Sequence, residues 1–321
     1  MKKFLIASTA LVATAGVAAA NGITFDGEAR FGLGYNESNV AGADETRIEQ
    51  RFRFNIRGTA TSDNGIEFSA RIRLEANENA DSSIDGRGPG AAEFSVETGG
   101  FRLDVGNTSD VADSGDVINY YGAGIGLTAF LEQNSAFYDA GDVAGTGLGQ
   151  TLPIGGFGAG FADATTIKLR YAVNDFTVAV SYSEDNVNDL DEFQIGAGYN
   201  FGNYSAGIVF GDEDGPTGVG EFVIASFSGD LGAFGFSIVV GDADSFSDVA
   251  YGASVTYDVG AATELRFVVS GGGADVVDVS DDTAYGLGFR HSLGGGVSLR
   301  GGIGSNTAGL TQADLGVFFS F

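Results

Sequence analysis

Between Arg47 and Ala76 the chain alternates hydrophobic and polar side chains with a period of two. Ile48, Phe52, Phe54 and Ile56 fall on one face, and Arg47, Glu49, Arg51, Arg53, Asn55 and Arg57 on the other. Past Ser62-Asp63-Asn64-Gly65, Ile66, Phe68, Ala70, Ile72 and Leu74 oppose Glu67, Ser69, Arg71, Arg73 and Glu75. Such alternation sends successive side chains to opposite faces of a strand, and Asn-Gly favours a tight hairpin. The pattern predicts a ribbon apolar on one side and cationic on the other. A soluble sandwich and a barrel in lipid both accommodate that ribbon, so the rest of the chain must decide.

The same alternation begins at Ile23 and runs to Tyr35, with Asp26, Glu28 and Arg30 on the polar face. A polar loop at roughly 36–45 leads into the hairpin. After an acidic, Gly-rich loop (77–91) short strands follow at 94–96 and 101–105, the second turning Arg102 and Asp104 to its polar side. The pattern stops over about 108–164, a stretch with no Lys or Arg but with Asp110, Asp113, Asp116, Glu132, Asp139 and Asp142. Unbroken loops of that length in a compact domain are most often functional or disordered. Its aromatic residues, among them Tyr120, Tyr121, Phe130 and Phe137, argue for packing. Alternation then resumes at 167–171, 176–182, 193–201, 204–210, 222–227, 234–240, 249–257, 265–269, 283–290, 297–303 and 313–321. Five strands before the long loop and eleven after it make sixteen. Short turns such as Gly202-Asn203 alternate with long acidic loops, the organisation of an up-and-down barrel.

Charge and composition narrow the classes. Residues 1–20 have the layout of a secretory signal peptide: Lys2 and Lys3, an apolar run from Phe4 to Val17, then Ala18-Ala19-Ala20. Without them the net charge is −27 − 2 = −29, which disfavours nucleic acid as a partner. No later segment is long and apolar enough for a membrane helix. The chain has no cysteine, so disulfides, Cys ligands and thiol nucleophiles are excluded.

The apolar faces carry almost no charge, and aromatics recur near their ends: Phe176 with Tyr182, Phe193 with Phe201, Tyr204 with Phe210. That is the arrangement of an apolar band between aromatic girdles. A closed barrel also removes every sheet edge, as lipid requires, and a last amphipathic strand ending in Phe321 suits closure. The expected fold is therefore an all-β, transmembrane, antiparallel up-and-down β-barrel of 16 strands, spanning 21–321.

The whole of 21–321 resembles the sixteen-stranded general diffusion porins of alphaproteobacteria, the Rhodobacter type in particular. The resemblance is carried by G-E-A-R-F-G-L-G-Y-N (27–36), F-G-N-Y-S-A-G-I-V-F (201–210), G-L-G-F-R-H-S-L-G-G-G-V-S-L-R-G-G-I-G (286–304) and the closing A-D-L-G-V-F-F-S-F. It implies an outer-membrane location, a homotrimer of barrels, a water-filled pore for passive passage of small hydrophilic solutes and ions, and no enzymatic activity. It also implies a third external loop folded into the lumen, and the break in alternation falls where that loop should start.

Arg30, Arg51, Arg53, Arg57, Arg71, Arg73 and Arg102 share the polar face of adjacent strands, which predicts a cationic patch on one wall of a constriction. The expected counterpart is Asp110, Asp113, Asp116 and Glu132 on the inward loop, the two sets making a transverse field. The competing reading pairs the arginines with Glu49, Glu67 and Glu75 on their own wall. Acidic loops should make the pore weakly cation-preferring at low salt.

Other chemistry is thinner. His291, the sole histidine, lies at a strand end, a poor place for a nucleophile's base. Gly122–Leu127 precedes no helix pattern, so it makes no phosphate cradle. No cofactor is expected. Asp185, Asp189 and Asp191, or Asp242, Asp244 and Asp248, are weak candidates for loop-bound Ca²⁺, and divalent bridging to lipopolysaccharide is a minor role for such loops. The alternatives are a soluble β-rich adhesin or surface-layer protein, and a closed membrane barrel acting as enzyme or anchor.

Overall fold

The structure, a computed structural model, describes residues 21–38, 44–78, 84–87, 90–137, 164–185, 189–215, 220–273 and 283–321. The candidate signal peptide, Asp139, Asp142 and the loop beyond Phe137 lie outside them. The strands are β1 (Asn21–Asn36), β2 (Thr46–Thr61), β3 (Glu67–Glu78), β4 (Ile84–Arg87), β5 (Glu93–Thr98), β6 (Phe101–Gly106), β7 (Ala164–Val173) and β8 (Phe176–Asp185). They continue as β9 (Leu190–Phe201), β10 (Tyr204–Asp214), β11 (Gly220–Leu231), β12 (Phe234–Ala243), β13 (Asp248–Asp258), β14 (Thr263–Gly273), β15 (Ala284–Gly294), β16 (Val297–Ser305) and β17 (Thr311–Ser320).

Apart from β4 and β5, each strand pairs antiparallel with its neighbour in the chain, and β17 returns to β1, closing the sheet. β4 and β5 both lie against β3, so they form one stave in two pieces and the barrel has sixteen staves. The first hairpin turns where Asn64-Gly65 predicts: Ser62 N–H donates to the Ile66 carbonyl at 2.9 Å, and Gly65 adopts φ 81°. Closure is completed by paired backbone bonds between Gly27 and Phe321, at 2.9 and 3.0 Å.

The apolar faces point outward. Ile23, Phe31, Leu33, Ile48, Phe68, Ile195, Leu265, Leu287 and Leu315 are all exposed on the outer surface, which in water would be an unsustainable apolar patch. Around the short-turn rim the rings touch in sequence, with Tyr199, Phe201, Tyr204, Phe227 and Phe236 linked at 5.5–6.3 Å. Those contacts form one girdle. At the opposite end Tyr182, Phe193, Phe210 and Tyr251 are exposed.

The interior differs from the uniformly wet lining that alternation suggests. The molecule's main hydrophobic cluster lies inside the barrel, where Val111, Ala112, Val117, Ile118, Tyr120 and Phe137 of the third long loop pack on inward Ala179, Val209, Phe222, Ile224, Val239 and Ala250. Inward Phe222 and Ile224 are apolar because a loop covers them.

Candidate pore constriction

The loop is fixed to the wall by hydrogen bonds from inward side chains, which satisfy backbone groups that a non-helical, non-sheet segment leaves open. Ser181 on β8 and Gln194 on β9 accept from the N–H groups of Val111 and Ala112, at 3.2 and 2.8 Å. Ser226, Ser254 and Ser270 accept from Asn119, Ala123 and Ala136. Buried Gln133 donates to the carbonyls of Asn119 and Tyr120 and to Ser237. On the far side Asp314 of β17 accepts from Leu127 N–H at 2.7 Å and from the N–H and hydroxyl of Thr128 at 2.9 and 2.8 Å. Arg266 of β14 donates to the Gly124 carbonyl.

Inward glycines give the loop its trench. A Cβ on Gly252 would collide with the Gln133 carbonyl oxygen, and one on Gly207 with that of Val117. These inward glycines are therefore part of the floor on which the loop lies.

The loop runs round the wall from β7 to β1. Arg51, Arg53 and Arg57 on β2, Arg71 and Arg73 on β3, and Arg102 on β6 occupy the wall between β1 and β7. They face inward and sit among carboxylates of their own wall. Arg51 pairs with Glu28 at 2.7 Å, and Arg53 with Glu75 at 2.6 Å and Glu28 at 3.5 Å. Arg71 pairs with Glu93, and Arg102 with Asp104 at 2.8 Å and Glu93 at 3.6 Å. Arg73 donates to Asn55. Arg30, buried in β1, reaches the Thr128 carbonyl at 3.5 Å. Of the carboxylates the own-wall reading named, Glu75 takes that role, whereas Glu49 pairs with Arg47.

The four loop carboxylates have different surroundings. Asp110 is fully buried and accepts from the Asp113 N–H at 2.8 Å, an internal turn contact. Asp113 accepts from the Tyr121 hydroxyl. Asp116 reaches Lys168 at 3.1 Å and Arg170 at 2.9 Å on β7, two basic residues absent from the expected constriction. Burial opposes its charge, yet those cations hold its carboxyl below the usual range.

Glu132 lines a cavity of about 360 Å³ with Phe130, Ser135, Asn306, Thr307 and Gln312. Burial pushes its carboxyl up to about 8, Arg290 and Arg266 acting against the rise and Asp113 adding to it. A carboxyl with a raised folded-state pKa favours the folded loop while protonated. Attachment should therefore weaken as pH climbs from about 4.5 towards about 8. Glu132→Gln is expected to flatten that dependence in amide exchange of 129–137. An unchanged pH profile in the variant would show that another group titrates.

Arg266, Arg290 and Arg300 are functional-site residues that the sequence reading missed; the alternation of their strands was the signal available for each, but distance along the chain hid that closure brings them beside one another. His291 holds Thr263 at 2.8 Å through Nδ1 at the short-turn end of β15. Among the described residues no three His, Cys, Asp or Glu side chains are placed to hold a metal. The weak Ca²⁺ candidates explain why: Asp185 is buried on the inward face, whereas Asp191 bonds the outward Tyr182 hydroxyl.

Comparison with known proteins places this geometry. The family model described as Gram-negative porin matches residues 7–309. The porin of Fuscovulum blasticum is 28% identical over 313 residues, covering 93% of this chain and 100% of that one. The porin of Rhodobacter capsulatus is 27% identical over 334 residues, with the same coverage. A solved triple mutant of Rhodopseudomonas blastica porin superposes with a TM-score of 0.73 at 25% identity, covering 94% of this chain and 100% of that one.

Proposed function

This chain belongs to the Gram-negative porin family, and from that premise we propose that it is a general diffusion porin of the outer membrane, passing small hydrophilic solutes and ions through a water-filled pore. The observation that carries the reading is the inverted arrangement of the barrel. Apolar side chains cover its outside while arginines, carboxylates and an internal loop line its inside. A soluble adhesin would hide the apolar face. A family of channels leaves an enzymatic barrel without support.

The pore narrows where the loop opposes the arginine wall. Arg51, Arg53, Arg57, Arg71, Arg73 and Arg102 supply the basic side, with Arg30 at its edge. Asp113 and Asp116 supply the acidic side, Glu132 adds its charge only as pH rises past about 8, and Asp110 shapes the turn that presents them. Polar solutes align in the resulting field and exchange hydration for wall contacts, whereas apolar solutes must displace bound water. The same reading includes export by residues 1–20, a homotrimer, and outer-membrane lipid and lipopolysaccharide around the apolar belt.

A planar-bilayer recording on detergent-purified protein tests it. Stable conductance steps are expected, with a zero-current potential of weakly cationic sign in a dilute salt gradient, a preference that added salt screens. Insertion without steady conductance would leave a closed barrel instead, and an anionic potential would overturn the selectivity.

A further inference from the structure

We propose that Arg290 and Arg300, set by Arg266 and Phe318, form an oxyanion-binding subsite on the stretch of wall that β17 and β1 separate from the β2–β3 arginines, taking small solutes that carry a phosphate or carboxylate group. The proposal rests on the pore reading, since such a solute must reach the lumen.

Three observations carry it. Arg290 and Arg300 are directly opposed in the β15–β16 register, and like charges in that position repel. Arg266 is two residues off register from Arg290, across β14–β15, where Arg290 opposes Glu264. Three guanidinium groups thus meet one strand carboxylate, Glu264, which Arg266 has already engaged at 2.7 Å, and the loop's Glu132, which burial keeps protonated until pH nears about 8.

The second observation is how differently the three are held. Arg266 is tied at both ends, by Glu264 and by the Gly124 carbonyl at 2.9 Å. Arg300 donates to Ser298 at 3.0 Å and lies 3.5 Å over the ring of Phe318. Arg290, among the described residues, makes no hydrogen bond or ion pair, and its Nε is buried without a partner. A guanidinium with a buried, unpartnered Nε and no protein partner among the described residues on its terminal nitrogens, beside a second one already oriented, matches the two or three oxygens of a carboxylate or phosphate.

The third is Phe318 itself. Leu315 is exposed on the outside of β17 while Asp314 and Gly316 are buried inside, so parity sends Phe318 into the lumen. An aromatic ring in a water-filled lumen is out of place unless something covers it. Here the Arg300 guanidinium does, by a contact that orients the cation and strips part of its water. Above the pair, Ile125 of the loop rests against Gly288 and Gly302. The subsite is thus roofed by the loop.

The test is the single-channel current in dilute KCl as inorganic phosphate, or in a separate arm succinate, is added. Phosphate is expected to reduce the current saturably. Arg290→Gln should raise the half-saturating concentration about tenfold, the size of one charge-assisted hydrogen bond. Arg290→Lys, which keeps the charge and loses the fork, should fall between. Succinate tells a carboxylate from a tetrahedral anion, and saturable block by either supports the subsite. Block by neither, or block unchanged in Arg290→Gln, overturns it. Conductance steps in the same recordings report that each variant has folded and inserted, and Arg300→Gln repeats the test should the first variant fail to insert. Absence of any conductance steps in the unaltered protein would instead sink the pore reading.

Discussion

Gly252→Val is expected to lift the third loop from the barrel wall while the sixteen-stave sheet stays closed. Its Cβ would enter the space of the Gln133 backbone carbonyl, and backbone cannot swing aside as a side-chain tip can. Gln133 also holds the loop's two limbs together through the Asn119 and Tyr120 carbonyls, so displacing it loosens both. Overpacking of this kind costs about 1–3 kcal/mol. The cost falls on loop attachment because the strand pairing of β13 is independent of it. Amide exchange of 119–136 should accelerate about tenfold to a hundredfold, and single-channel conductance should rise as the constriction widens. Gly58→Val, where an added Cβ meets nothing within 4 Å, is the matched control. Unchanged protection of the loop in Gly252→Val would mean that the hydrogen bonds from the serines, Gln194 and Asp314 hold it without help from the glycine trench.

Replacing Arg51, Arg53 and Arg71 together by serine should shift ion selectivity more than any single change. Each arginine pairs with a carboxylate of its own wall, Glu28, Glu75 or Glu93. The variant therefore uncovers three negative charges as it removes three positive ones. In water a unit charge at several ångströms is worth about 0.5 kcal/mol. Three of them amount to about an order of magnitude in cation-to-anion permeability at low salt, less as the Debye length shortens. Breaking pairs that are half-buried also destabilises the wall. The readout must therefore be the zero-current potential of channels that still insert. Unchanged selectivity and conductance would remove these residues from the constriction.

The two variants separate the halves of the narrow section. One moves the loop and leaves the arginine wall alone; the other alters the wall beneath an attached loop. Asp116 joins the halves, since its partners Lys168 and Arg170 lie on β7, the stave where the loop's run round the wall begins. The loop's acidic charge is thus spent partly on docking its own first turn, and only the remainder faces solutes.

Strand number, pairing order and the outward face were legible from the chain, because period-two alternation is a local property that each segment states independently. The first hairpin announced its turn through Asn64-Gly65, and Arg51, Arg53, Arg71 and Arg73 were readable as one patch because two adjacent strands carry them. Tertiary structure alone decided the rest. Asp314 latches Thr128 from 186 positions away, and Arg290 meets Arg300 only because β15 and β16 sit in one particular register. Gly252 matters only because Gln133 lies on it. Such contacts depend on where a closed sheet brings distant segments, and on a loop whose course is set by packing rather than by periodicity. Inward Phe222, Ile224 and Phe318 made alternation least informative, being apolar on the face that pattern assigns to water. Those are the positions where the loop, or another side chain, had already taken water's place.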